Sequence, residues 1–162
     1  DWIPKVMQKK IPLLGVCLGA QIMARSLGAK VAPHAEGIYE FGYYPVNPVL
    51  DTDALKMDKA TYIYHRHGEG FEMPTGSEHL ATRTTFPNQA FRYDVTNFAL
   101  QFHAEVNDAL LSLWLERKPA PVDLNYNGAQ TASLQRSGHK IYQEEMHRWL
   151  EIFLQYWIAQ GN

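Results

Sequence analysis

The chain of 162 residues is poor in three things: it has one cysteine, no long apolar run and almost no net charge. One cysteine excludes an internal disulfide, which fits a reducing compartment and points to the cytoplasm. The absence of a bilayer-length apolar run or a secretory signal leaves no reason to expect a membrane partner. A formal net charge of −2 supplies no basic field for nucleic acid. Hydrophobic residues make up 46%, which suffices for one sizeable core, so residues 1–162 read as a single domain. The chain opens Asp1-Trp2-Ile3-Pro4. Trp2, Ile3, Val6 and Met7 recur at helical spacing ahead of Lys9 and Lys10, where a helix end favours cations. A helix is expected there, in a domain truncated on its N-terminal side.

What is present is more telling. "PLLGVC" (12–17) is a short apolar run of the kind buried on both faces of a parallel sheet. Ile22, Met23 and Leu27 then mark one helical face, with Gly28 as its stop. Strand, tight turn and helix open a flavodoxin-like, doubly wound α/β fold with a mainly parallel sheet. Strands are expected at 40–46, 60–65, 79–84, 89–93 and 97–103, the last two forming an antiparallel hairpin through a turn at 94–97. Asn107 or Asp108 caps a helix burying Leu110, Leu111 and Trp114. Residues 118–138 read as a loop, and a final helix is expected near 139–160. The aromatic stripe of that helix (Tyr142, Met146, Trp149, Leu150, Phe153, Trp157) reads as core packing.

Cys17 stands in G-x-C-x-G, the thiol form of the strained strand-to-helix turn that presents a nucleophile above an α/β sheet. Gly15 and Gly19 are expected to avoid a collision across that turn. A helix N-terminus favours thiolate, and the Leu18 N–H points where an oxyanion would develop. A small buried cysteine is the competing reading. In "LQFHAEV", His103 and Glu105 lie two apart at a strand end, so both side chains face one way. His103 can act as base, and Glu105 can fix its tautomer. "YHRHGE" places His65, His67 and Glu69 on one strand face, and His-x-His can ligate zinc. No soft or histidine fourth ligand is evident, so no metal site is expected.

Taken together, "GVCLGAQ", "EFGYYPV", "HGEGFEMP", "PNQAFRY" and "LQFHAEV" resemble the class I, triad-type glutamine amidotransferase domain, in order and spacing from Pro12 to Val106. Within that family the resemblance is to stand-alone domains similar to the glutaminase half of GMP synthase. The resemblance implies Cys17 as nucleophile, His103 as general base and acid, and Glu105 as orienting carboxylate. It implies Leu18 N–H in the oxyanion hole, Gln21 beside the substrate, and Gly42–Tyr43 backbone holding the α-amino acid end. His67 becomes a pocket-wall residue. Glutamine is the implied substrate, with no cofactor and with a synthetase partner to accept ammonia. Two departures stand out. Ala104 replaces the family's usual proline, and the family's N-terminal strands and second oxyanion loop would lie upstream of Asp1. A γ-glutamyl peptide hydrolase and a silent binding module remain the alternatives.

Overall fold

The computed structural model describes residues 2–49, 53–116 and 126–161. Helix α1 (Ile3–Gln8) buries Ile3 and Met7 and leaves Trp2 exposed. Strand β1 (Leu13–Val16) runs into helix α2 (Leu18–Ser26), which stops at Gly28 with φ +87°. Strands β2 (Val31–Pro33), β3 (Glu40–Pro48), β4 (Thr61–His67), β5 (Glu69–Phe71), β6 (Glu78–Thr82), β7 (Ala90–Tyr93) and β8 (Asn97–Leu100) follow. Helices α3 (Asp108–Glu116) and α4 (Ala132–Gln160) complete the described elements.

The main sheet has the order β1-β8-β7-β6-β3-β4, and β2 pairs with β5 in a small second sheet. The α/β class, the strand-to-helix turn and the 94–97 hairpin stand as expected. The mainly parallel sheet does not: among the described residues only β1 and β8 pair in parallel, and the other neighbours are antiparallel. The reason is connection length. Parallel neighbours need a crossover of a dozen or more residues, whereas antiparallel ones accept a tight turn. Between Tyr93 and Asn97 there is room only for a turn, with Asp94 at φ +57°.

Side-chain alternation along β8 shows how the layers form. Phe98 and Leu100 join a core with Ile63, Met146, Trp149 and Phe153 beneath α4. Ala99 faces the other way, toward Ala20, Met23 and Phe91 beneath α2. Both faces of β8 are therefore covered, as its continuous apolar run requires. In α2 the expected face is only partly right: Met23 is buried, but Ile22 is exposed. In α3, Asn107 Oδ1 accepts from Leu110 N at 3.0 Å, and Leu111 and Leu115 are the buried residues.

The final helix begins earlier than expected. Thr131 caps it, its hydroxyl accepting from Leu134 N at 3.3 Å, so residues 132–138 are helical rather than loop. The part of that loop at 118–125 lies outside the described residues. Within it Gly138 serves packing: a Cβ there would sit 2.9 Å from the Tyr43 ring. The aromatic stripe does pack the core, and its indoles find partners. Trp149 Nε1 donates to Leu55 O at 3.0 Å and Trp157 Nε1 to Thr96 O at 2.8 Å. No described helix is long and apolar enough to cross a membrane.

Candidate active site

Cys17 sits at the junction of β1 and α2 with φ +48° and ψ −104°. A non-glycine residue pays for such a conformation in strain, and such strain gathers at functional turns. Its amide donates to Leu100 O at 2.7 Å, which ties the turn to the neighbouring parallel strand. A Cβ at Gly15 would lie 2.7 Å from the Gly19 backbone, so the start of α2 crosses directly over Gly15. The expectation for Gly19 itself is corrected, because a Cβ there would meet nothing within 4 Å. The clash is one-sided: it needs Gly15 bare and leaves room above Gly19. Leu18 is the first residue of α2 and is exposed. Its amide is among those for which a helix offers no internal acceptor.

The sequence reading extended β8 to His103, but the strand ends at Leu100. His103 is held instead by an isolated antiparallel bridge, its amide donating to Tyr64 O at 2.7 Å. This bridge, with buried Ala104 and Val106, anchors the segment where the family usually has proline. His103 Nδ1 lies 2.6 Å from Glu105 Oε1, and Cys17 and Glu105 are the neighbours that act to raise its pKa. Burial alone would lower the pKa of His103. The hydrogen bonds and negative charge of Cys17 and Glu105 outweigh it and push the imidazole up to about 9. Cys17, His103 and Glu105, separated by up to 88 positions in sequence, thus come together around the His103 ring.

Three neighbours of this row were not singled out from sequence. Gln101 Nε2 lies 3.8 Å from Cys17 Sγ, and Gln101 Oε1 accepts from Gln21 Nε2 at 3.3 Å. Its signal was its place two residues before His103. Trp114, expected as plain core, sets its ring edge-on to His103 at 5.2 Å and carries the Arg66 guanidinium at the same distance. The Arg66 carbonyl faces Cys17 Sγ at 3.8 Å. Gln21 is nearly buried, and its amide also donates to Glu69 O at 3.1 Å, so it links α2 to the start of β5.

At the Gly42–Tyr43 edge, Gln130 Oε1 accepts from Tyr43 N at 3.0 Å and Gln130 Nε2 donates to Tyr43 O at 2.8 Å. Gly42 has φ +135°, and a Cβ there would strike the Gln130 amide. The glycine makes room for that closure, a long-range contact that nothing local in the sequence announces.

His65 and His67 do not face solvent. They converge on buried Glu40, whose other oxygen pairs with Arg83. Burial would raise the Glu40 pKa, but hydrogen bonds from both histidines hold it well below the usual carboxylate range. Burial pushes His65 down to about 4 against the pull of Glu40. Glu69, expected on the same face, contributes only its carbonyl, which lies 3.0 Å from His67 Nδ1.

The family model for glutamine amidotransferase class-I matches residues 1–110. Over 104 residues the chain is 38% identical to a GMP synthase (glutamine-hydrolyzing) of Campylobacter lari, covering 62% of this chain and 20% of that protein. Over 117 residues it is 33% identical to the corresponding protein of Trichormus variabilis, covering 70% and 21%. The chain thus spans about a fifth of the length of these relatives. A glutamine amidotransferase from Thermotoga maritima superposes with a TM-score of 0.79 at 26% identity, over 96% of this chain and 66% of that one. A glutamine amido transferase from Methylobacillus flagellatus superposes with a TM-score of 0.88 at 23% identity, over 98% and 66%, a likeness of fold. With the family model matching residues 1–110, more than half of its length, this chain belongs to the class-I glutamine amidotransferase family.

Proposed function

We propose that the protein hydrolyses the side-chain amide of glutamine through a cysteinyl thioester. The observation that carries this reading is the row Cys17–His103–Glu105 at a strained strand-to-helix turn. The Cys17 thiolate attacks the amide carbon, and the Leu18 N–H is placed to receive the developing oxyanion. His103 gives its proton to the departing nitrogen, which leaves as ammonia, and the γ-glutamyl thioester remains. His103 then takes a proton from water, which attacks the thioester and releases glutamate and the thiolate. Glu105 holds Nδ1 protonated, so Nε2 is the atom that exchanges protons. A synthetase partner that accepts the ammonia is proposed from the names of the relatives.

Glutamate and ammonia release from glutamine by the purified protein tests this reading. Loss of both in Cys17→Ala, with covalent labelling of the parent protein at Cys17 by a glutamine-like electrophile, is the expected result. Full activity in Cys17→Ala overturns it. A preference for γ-glutamyl peptides over glutamine would keep the thioester and replace the substrate.

A further inference from the structure

Away from Cys17, three electron-pair donors converge inside the protein. His65 Nδ1 and His67 Nε2 each lie 3.2 Å from Glu40 Oε2, and 3.3 Å from one another. All three residues are buried, and their ligand atoms form a compact, nearly equilateral triangle. Zinc bound to nitrogen and oxygen at about 2.0–2.1 Å in tetrahedral geometry separates its ligands by about 3.3 Å. The triangle has the dimensions of one face of such a tetrahedron.

Hydrogen-bond bookkeeping leads to the same place. The carbonyl of Glu69 can only accept, so His67 Nδ1 carries the proton. Its Nε2 is then the nitrogen turned toward the carboxylate oxygen. His65 is fully buried, and its Nε2 has no hydrogen-bond partner among the described residues. A cation at the centre of the triangle would be met by Glu40 Oε2, His65 Nδ1 and His67 Nε2 together.

The surroundings match what holds metal ligands in place. The remaining ring nitrogen of His67 is fixed on a backbone carbonyl, and the remaining oxygen of Glu40 on Arg83. Gln89 Nε2 adds a contact to Glu40 Oε2 at 3.3 Å. Phe86 packs edge-on against His67 at 4.7 Å. Phe86 also lines a cavity of about 380 Å³ with Lys30, His34 and Phe71. Three protein donors leave a fourth position for water, the pattern of open zinc sites. The fourth protein ligand that the sequence reading required is not needed.

We infer that Glu40 Oε2, His65 Nδ1 and His67 Nε2 form a binding site for a divalent cation of the zinc class. Two imidazoles and one carboxylate suit Zn²⁺ or Co²⁺ better than the oxygen-seeking Mg²⁺ or Ca²⁺. The site clamps β3 to β4 and, through His67, the Glu69 carbonyl that also receives Gln21. It does not depend on the proposed glutaminase reaction.

The test uses the purified protein after removal of bound metal by chelator, titrated with Co²⁺ and then Zn²⁺. One Co²⁺ per chain with the intense visible bands of a tetrahedral site is expected, displaced by Zn²⁺. His65→Gln and Glu40→Gln should each weaken binding by about 100-fold or more, whereas Cys17→Ser should leave it unchanged. A long-range ¹H–¹⁵N spectrum of the unsubstituted protein needs no variant: Zn²⁺ should move the resonances of His65 Nδ1 and His67 Nε2. No binding, a shift confined to His103, or undiminished binding in both folded variants overturns the site.

Discussion

Two histidines in this molecule stand beside glutamates and behave in opposite ways. The His103 side chain is 14% exposed beside a glutamate that is 45% exposed, and its pKa is raised to about 9. His65 is fully buried beside a buried glutamate, and its pKa is lowered to about 4. A carboxylate partner does not decide the charge of an imidazole. The balance between desolvation and the sum of neighbours does. His103 has Cys17 as a second partner that raises its pKa, whereas His65 shares Glu40 with His67 and Arg83, both of which work against its charge.

The contrast can be broken from either side. His103→Ala should cost glutamine turnover about 10²–10⁴-fold, as steady-state kinetics would show, with any loss of stability shrinking as pH rises toward 9. Glu40→Ala should do the reverse in kind, destabilising the fold by about 3–5 kcal/mol in denaturant titration because a buried group loses its ionic partner. A folded and equally stable Glu40→Ala would refute the contrast. Glu105→Gln should slow turnover by a smaller factor, about tenfold, since the half-exposed carboxylate supplies one charge-assisted hydrogen bond.

The two histidines should also tilt stability in opposite directions with pH. His103 has its folded pKa raised from 6.5 to about 9. Its contribution is therefore complete below pH 6.5 and is lost as pH rises toward 9. In metal-free protein, His65 has its folded pKa lowered from 6.5 to about 4, so its contribution is present above 6.5 and is lost as pH falls toward 4. Denaturation across this range should show the alkaline limb flattened in His103→Gln and the acid limb flattened in His65→Gln. The finest test is Cys17→Ala, in which the His103 resonance should titrate closer to its ordinary value. An unmoved midpoint would remove the thiol from the pair.

Much of this was legible because some functional devices are local. G-x-C-x-G is a turn whose steric demand lies within five residues, and a helical stripe is a repeat within one element. The clash at Gly15 and the burial of Met146, Trp149 and Phe153 follow from such short-range patterns. The early start of α4 was not legible because the fit of Gly138 against the Tyr43 ring joins positions 95 apart in sequence. Nor was the hold of Gln130 on Tyr43, which arrives from a distant segment.

By itself, then, the sequence determined the elbow that carries Cys17, the His103–Glu105 pair and the apolar faces, because each depends on neighbours along the chain. The tertiary structure alone decided that the sheet is mostly antiparallel, that Gln130 closes the Tyr43 edge and that Glu40 meets His65 and His67. Those outcomes depend on which segments pack against which, and on how far burial removes water from a charge.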